Sequence, residues 1–145
     1  MKFVVDRSRW WRGARDTDSA LLCEYSQVRP EFRMAEGSMC CLGFMCSAYG
    51  VENHEMNNVT SPRLLASEVK TRTKLPVVDW DPFMAVNDDI AISDEVRERK
   101  LTELFARVGI EVEFEGEGDP TGAYKARLRR DEEDIGFLHD QDLAP

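Results

Sequence analysis

The chain is poor in the residues from which catalytic and metal sites are most often assembled. It has two histidines, His54 and His139, and its four cysteines, Cys23, Cys40, Cys41 and Cys46, include no Cys-x-x-Cys spacing. Neighbouring cysteines on a helix point about 100° apart and cannot converge on one ion, so neither a metal nor any other cofactor is expected. No apolar run reaches the roughly 18 residues of a membrane-spanning helix. The opening residues, MKFVVDRSRWW, bring in Asp6, Arg7 and Arg9 before any long apolar stretch, which is not the pattern of a signal peptide. The expectation is a cytoplasmic protein with reduced thiols. No internal repeat is present.

Positive charge is also in short supply. Among 145 residues, 28 are acidic and 19 basic, a net charge of −9. Residues 1–50 carry seven basic and six acidic groups, residues 51–110 eight and eleven, and residues 111–145 four and eleven. The excess is therefore concentrated in the last quarter. Binding to a phosphate backbone relies on uncontested cations, so direct nucleic-acid binding is disfavoured, while a basic partner surface is permitted. Solubility is the simplest use of such a charge. At 42% hydrophobic residues the chain can fill one core, whereas two independent cores would each be marginal.

The pattern of elements predicts one α+β domain over residues 1–130 and an acidic, loosely held tail over 131–145. Lys2–Val5 reads as a short strand. Ser19–Tyr25 and Glu31–Ala35 read as a hairpin around a proline turn. Ser38 is placed to cap an apolar helix from Met39 to Tyr49 that Gly50 ends. Pro62 can open a helix through SPRLLASEVK. Residues 71–92, with Pro76, Pro82, Trp80 and Phe83, read as irregular, and Asn87-Asp88-Asp89 as a turn before the next helix. That helix, SDEVRERKLTELFARVG, has Ser93 as its cap, Asp94 and Glu95 in its first turn and Gly109 at its end. Strict alternation in IEVEF then predicts a half-buried strand, with AYKARLRR as its antiparallel partner. The expected architecture is a central apolar helix and a second, amphipathic helix packed on a short antiparallel sheet.

Cys40 and Cys41 fall in the expected first turn of the apolar helix, where free N–H groups favour a thiolate. With His139 as base, they form a candidate nucleophile pair for a cysteine-dependent hydrolase or transferase. Yet the helix is apolar nearly all round, the mark of a buried element in which cysteine serves as a small hydrophobe. Burying it contributes on the order of 10 kcal/mol gross, at about 1.5–3 kcal/mol per large side chain. The core reading is the stronger one, and Gly43 within the helix predicts a close contact with another element.

RSRWWRGAR places Arg7, Arg9, Arg12 and Arg15 beside Trp10 and Trp11. Cations interleaved with aromatics can grip phosphates and stack on bases, which makes the four arginines candidate ligand-binding residues for a sequestered nucleotide. The alternative is a core tryptophan with arginines laid over it or paired with acids. Adjacent residues diverge, so one tryptophan left outside would suit a protein interface.

Three short motifs carry a resemblance. They are Trp10 or Trp11 with Arg12-Gly13, then Cys40-Cys41-Leu42-Gly43, then Asn87-Asp88 ahead of the helix from Ser93. This pattern resembles small, mostly uncharacterised accessory proteins encoded by tailed phages and prophages. It implies a viral or mobile-element protein, supplies no catalytic residue, and does not extend to the acidic C-terminal part. The expected function is non-catalytic binding of a host macromolecule, as an anti-CRISPR or other anti-defence inhibitor that imitates phosphate charge. Its expected contacts are Glu111, Glu113, Glu115, Glu117, Asp119, Asp131, Glu132, Glu133 and Asp134, with Trp10 and Trp11. The expected partner is a host protein, including a nucleic-acid-binding one; no membrane is involved, and the sequence leaves the oligomeric state open.

Overall fold

The computed structural model describes residues 1–13, 20–22, 37–57 and 59–117. Most of the expected hairpin (residues 23–25 and 31–35), the segment AYKARLRR, the tail 131–145 and the boundary at 130 lie outside these residues. In chain order the elements are β1 (Lys2–Asp6), α1 (Cys41–Ala48), α2 (Asn53–Met56), a 3-10 turn (Pro62–Leu64), α3 (Ser67–Thr73), α4 (Asp81–Asp88), α5 (Asp94–Arg107) and β2 (Glu111–Glu115). This is an α+β arrangement, with one correction to the sheet. β1 and β2 run parallel, in register from Lys2 beside Glu111 to Asp6 beside Glu115, rather than antiparallel. Parallel neighbours need a long crossover, and here the five helices among the described residues lie between them. Alternation in the two strands turns Phe3, Val5 and Val112 inward onto the core.

α1 is the centre of that core. Every residue from Cys41 to Cys46 is buried, and the helix packs against β1 and α4. α5 packs on α4 and β2, burying Leu101 and Phe105. Phe105 meets Phe3 edge-on at 5.1 Å and Phe83 at 4.6 Å, which ties α5 to the sheet and to α4. Ser93 caps α5 as expected, its Oγ accepting from the Val96 N–H at 3.2 Å. Gly109 follows the helix with φ +77°, a conformation favourable to glycine.

Two other expectations are corrected. Residues 71–92 contain α4, which opens with Pro82 in its first turn, where the missing N–H costs nothing. The single helix expected over SPRLLASEVK is split, because Leu65 turns inward in extended conformation between the 3-10 turn and α3.

The start of α1 also differs. Ser38 is not its cap. Met39 pairs as a β-bridge with Trp10, its carbonyl accepting from the Trp11 N–H at 2.7 Å, while the Cys40 N–H donates to Ala20 O at 3.0 Å. The first free helical N–H, that of Cys41, donates instead to Asn87 Oδ1 on α4 at 3.0 Å. The same Oδ1 accepts from Trp10 Nε1 at 2.8 Å, and Asn87 Nδ2 donates to Trp11 O at 3.0 Å and to Asp88 Oδ1 at 2.9 Å. One wholly buried amide therefore joins the N-terminal segment, α1 and α4.

Arg97 completes this junction from α5. Its guanidinium donates to the carbonyls of Val86, Asn87 and Asp89 at 2.9, 3.2 and 2.7 Å, closing the C-terminal end of α4. Asp94 accepts from Arg97 Nε at 3.2 Å and from Arg12 Nε at 2.9 Å. Burial works to raise the Asp94 pKa. The hydrogen bond and charge of Arg12, then those of Arg97, outweigh it and hold the carboxyl below its ordinary range.

Gly43 lies hard against the backbone of Leu21: a Cβ there would overlap the Leu21 carbonyl and sit 2.9 Å from Met39 Cβ. Gly43→Ala is expected to lower stability by about 3 kcal/mol in urea unfolding, despite alanine's better helix propensity, and an unchanged midpoint would contradict this packing. Asp94→Asn is expected to cost about 2 kcal/mol, on the low side for a charge pair because Asp94 is 42% exposed. The Asp94 contribution is present above its unfolded pKa of about 4 and is lost as pH falls below it. The stability gap between wild type and Asp94→Asn should therefore hold above about pH 5 and shrink as pH falls below about 4.

Candidate interaction surface

The face of the sheet turned away from the core carries Lys2, Val4 and Asp6 from β1 and Glu111, Glu113 and Glu115 from β2. Residues on one face of a strand repeat every 6.6 Å or so, which spaces the three glutamates evenly. Lys2 Nζ lies 2.9 Å from Glu113 Oε2. Its pKa is raised first by the hydrogen bond and charge of Glu113, and further by Glu111 and Glu115. One ammonium thus stands in the field of three carboxylates. Asp6 accepts from the Ser8 hydroxyl at 2.7 Å and the Ser8 N–H at 3.0 Å, which lowers its pKa and keeps it ionised. Glu117 is exposed just beyond the strand.

Arg7 does not neutralise this face. It grips Glu98 of α5 through two hydrogen bonds of 2.7 and 2.8 Å and donates to Gly116 O at 3.0 Å. Parallel sheets are ordinarily covered on both sides. Here one side meets the core and the other presents carboxylates to solvent. Of the acidic residues expected to contact a partner, Glu111, Glu113, Glu115 and Glu117 come together on or beside this face, while Asp119, Asp131, Glu132, Glu133 and Asp134 lie outside the described residues.

The tryptophans do not join them. Trp10 is 0% exposed and Trp11 5%, so the expectation that either offers a ring to a partner is corrected. Trp10 is held inside by its bond to Asn87, by Phe114 at a centroid distance of 5.0 Å, and by the Arg12 guanidinium 4.5 Å from its ring centroid.

The arginines diverge in the same way. Arg7 turns to Glu98, buried Arg12 to Asp94, and Arg9 lies 5.7 Å over the Phe44 ring of α1, while Arg15 lies outside the described residues. The three that are described form no common phosphate cradle.

Cys40, Cys41 and Cys46 are all buried. Burial, and secondarily the neighbouring Cys40 thiol, pushes the Cys41 pKa well up, and the same causes raise that of Cys46. Cys40 Sγ lies 4.0 Å from Met84 Sδ. His54, the one histidine among the described residues, stands exposed on α2 at 3.6 Å from Glu52, and His139 lies outside the described residues. Among the described residues no group of three or more histidine, cysteine or carboxylate side chains is placed to hold a metal, and no helix is long and apolar enough to cross a membrane.

A separate groove of about 360 Å³ opens beside α3, lined by Pro62, Arg63, Lys70, Leu75, Val77 and Trp80 among others. None of these was singled out as a site residue from the sequence, although the Pro-Val-Val run at 76–78, placed between two helices, was the signal available.

Comparison of the chain with protein-family models, curated proteins and solved structures gives no match.

The burial of the thiols is directly measurable. In a Cys23→Ser background, Cys40, Cys41 and Cys46 should react with iodoacetamide near neutral pH at least about a hundredfold more slowly than a free thiol, and all three at the ordinary rate in denaturant. One native cysteine that labels rapidly would contradict the arrangement.

Proposed function

We propose that this protein acts without catalysis, by binding a basic, nucleic-acid-binding surface of a host protein through the acidic outer face of its sheet. On this reading it is a phage or mobile-element accessory protein that works in the host cytoplasm as an anti-CRISPR or other anti-defence inhibitor. The phage assignment rests on the Trp, Cys-Cys-Leu-Gly and Asn-Asp motifs. The binding assignment rests on one observation: the solvent side of the parallel pair presents Asp6, Glu111, Glu113 and Glu115, with Lys2 among them.

The strand fixes the backbone of these glutamates, so binding has only their side chains left to order. A row of them attracts a positively charged channel over a distance of about one Debye length, 8–10 Å, and occupies the positions of phosphates there. The remaining reactive groups support the non-catalytic part of the reading. The described thiols are buried, and of the described arginines Arg12 is buried and Arg7 is paired with Glu98.

Glu111→Gln/Glu113→Gln/Glu115→Gln tests the proposal. These side chains are exposed or half-buried, and the pair from Lys2 to Glu113 is a surface pair worth at most about 1 kcal/mol, so the variant should fold. Wild-type protein is expected to retain a stoichiometric nucleic-acid-binding protein from host lysate, to release it as salt rises, and to compete with DNA for it. The triple variant should lose at least about tenfold in affinity. Equal retention by wild type and variant, or no stoichiometric partner at low and moderate salt, would sink the proposal.

A further inference from the structure

We infer that the groove beside α3 is a docking site for an extended, acidic peptide segment of a partner protein, one with carboxylate and small aliphatic side chains. It shares no residue with the acidic face and does not rest on that reading. The connector from Leu75 to Trp80 forms one wall. Leu75 and Trp80 are buried at its two ends, whereas Val77 between them is 103% exposed. A β-branched aliphatic left as open as in an unfolded chain adds nothing to the core. Pro76 fixes its own φ and restricts Leu75 to extended backbone. Among the described residues, the backbone N–H groups of Val77 and Val78 have no hydrogen-bond partner. Open main-chain groups beside an exposed aliphatic are what strand addition uses, the backbone supplying affinity and the side chains specificity.

The charge of the groove selects the occupant. Arg63 and Lys70 line the same groove, brought together by the 3.0 Å hydrogen bond that Lys70 Nζ donates to the Arg63 carbonyl. Neither has a carboxylate partner among the described residues, in a chain with 28 acids against 19 bases. Two cations in a groove also lined by Pro62, Leu75 and Trp80 are complementary to a peptide in which acids and aliphatics alternate. At about 360 Å³ the groove admits only a few side chains. A peptide fits it better than a second copy of the chain.

The probe is a fluorescein-labelled octapeptide of alternating aspartate and valine, titrated with the full chain and read by anisotropy. Saturable binding is expected, with affinity reduced at least about tenfold by Arg63→Glu/Lys70→Glu and by Val77→Asp. Val77→Asp changes only an exposed side chain, so it carries the test should the double variant fold poorly. A control peptide with lysine in place of aspartate is expected not to bind. No saturation up to about 1 mM peptide, equal binding of the lysine peptide, or wild-type affinity in Val77→Asp would overturn the inference. Sedimentation of the free protein as a dimer that Arg63→Glu/Lys70→Glu dissociates would also overturn it, by assigning the groove to a second copy.

Discussion

The side-chain amide of Asn87 is the contact on which the described structure depends. Its oxygen receives the indole N–H of Trp10 and the first free N–H of α1, and its nitrogen donates to Trp11 O. Each of these partners is buried, and an unmet hydrogen bond in that setting costs about 1–3 kcal/mol. The partners lie far apart in sequence, so the amide fixes three pieces of chain relative to one another. Its two ends differ, one accepting and the other donating, and the surrounding donors and acceptors allow a single orientation. A hydrophobic side chain of similar volume could fill the space but could not meet these groups.

Arg97 and Asp94 extend the same logic to α5. A guanidinium that closes the carbonyl end of α4 must be buried, and a buried cation needs a counter-charge. Asp94 supplies it and simultaneously receives Arg12, whose guanidinium covers the Trp10 ring. Of the arginine–tryptophan segment, which in sequence resembles a nucleotide-gripping patch, Trp10, Trp11 and Arg12 are in this way absorbed into the interior. The same holds for the thiols of α1, which fill the core.

Among the described residues, the chemistry that remains on the outside is electrostatic. One side of the sheet displays carboxylates around Lys2, and the groove beside α3 displays Arg63 and Lys70 with apolar neighbours. Two surfaces of opposite sign, on different elements, suit a protein that acts by contact. Neither surface requires the fold to move.

Sequence alone determined the elements whose signals are local. A short apolar run closed by polar residues marked Lys2–Val5, alternation marked the strand from Ile110, the serine and glycine boundaries marked α5, and the all-round apolarity of residues 39–49 marked a buried helix. It also marked the acidic β2 strand, because charge at alternate positions can be read without knowing the neighbours. The tertiary structure decided what depends on distant partners. Strand direction is set by the path of the helices between β1 and β2, and no local pattern encodes it. The cap of α1 comes from α4 rather than from Ser38, because Met39 and Cys40 are drawn into backbone pairing with Trp10 and Ala20. Asn87-Asp88-Asp89 reads locally as a turn, yet Asn87 is helical and buried, since the indole, amide and carbonyl groups it satisfies are brought to it by other parts of the chain. The groove escaped notice for the same reason: Arg63, Lys70 and Val77 become neighbours only when α3 and the connector to α4 fold together.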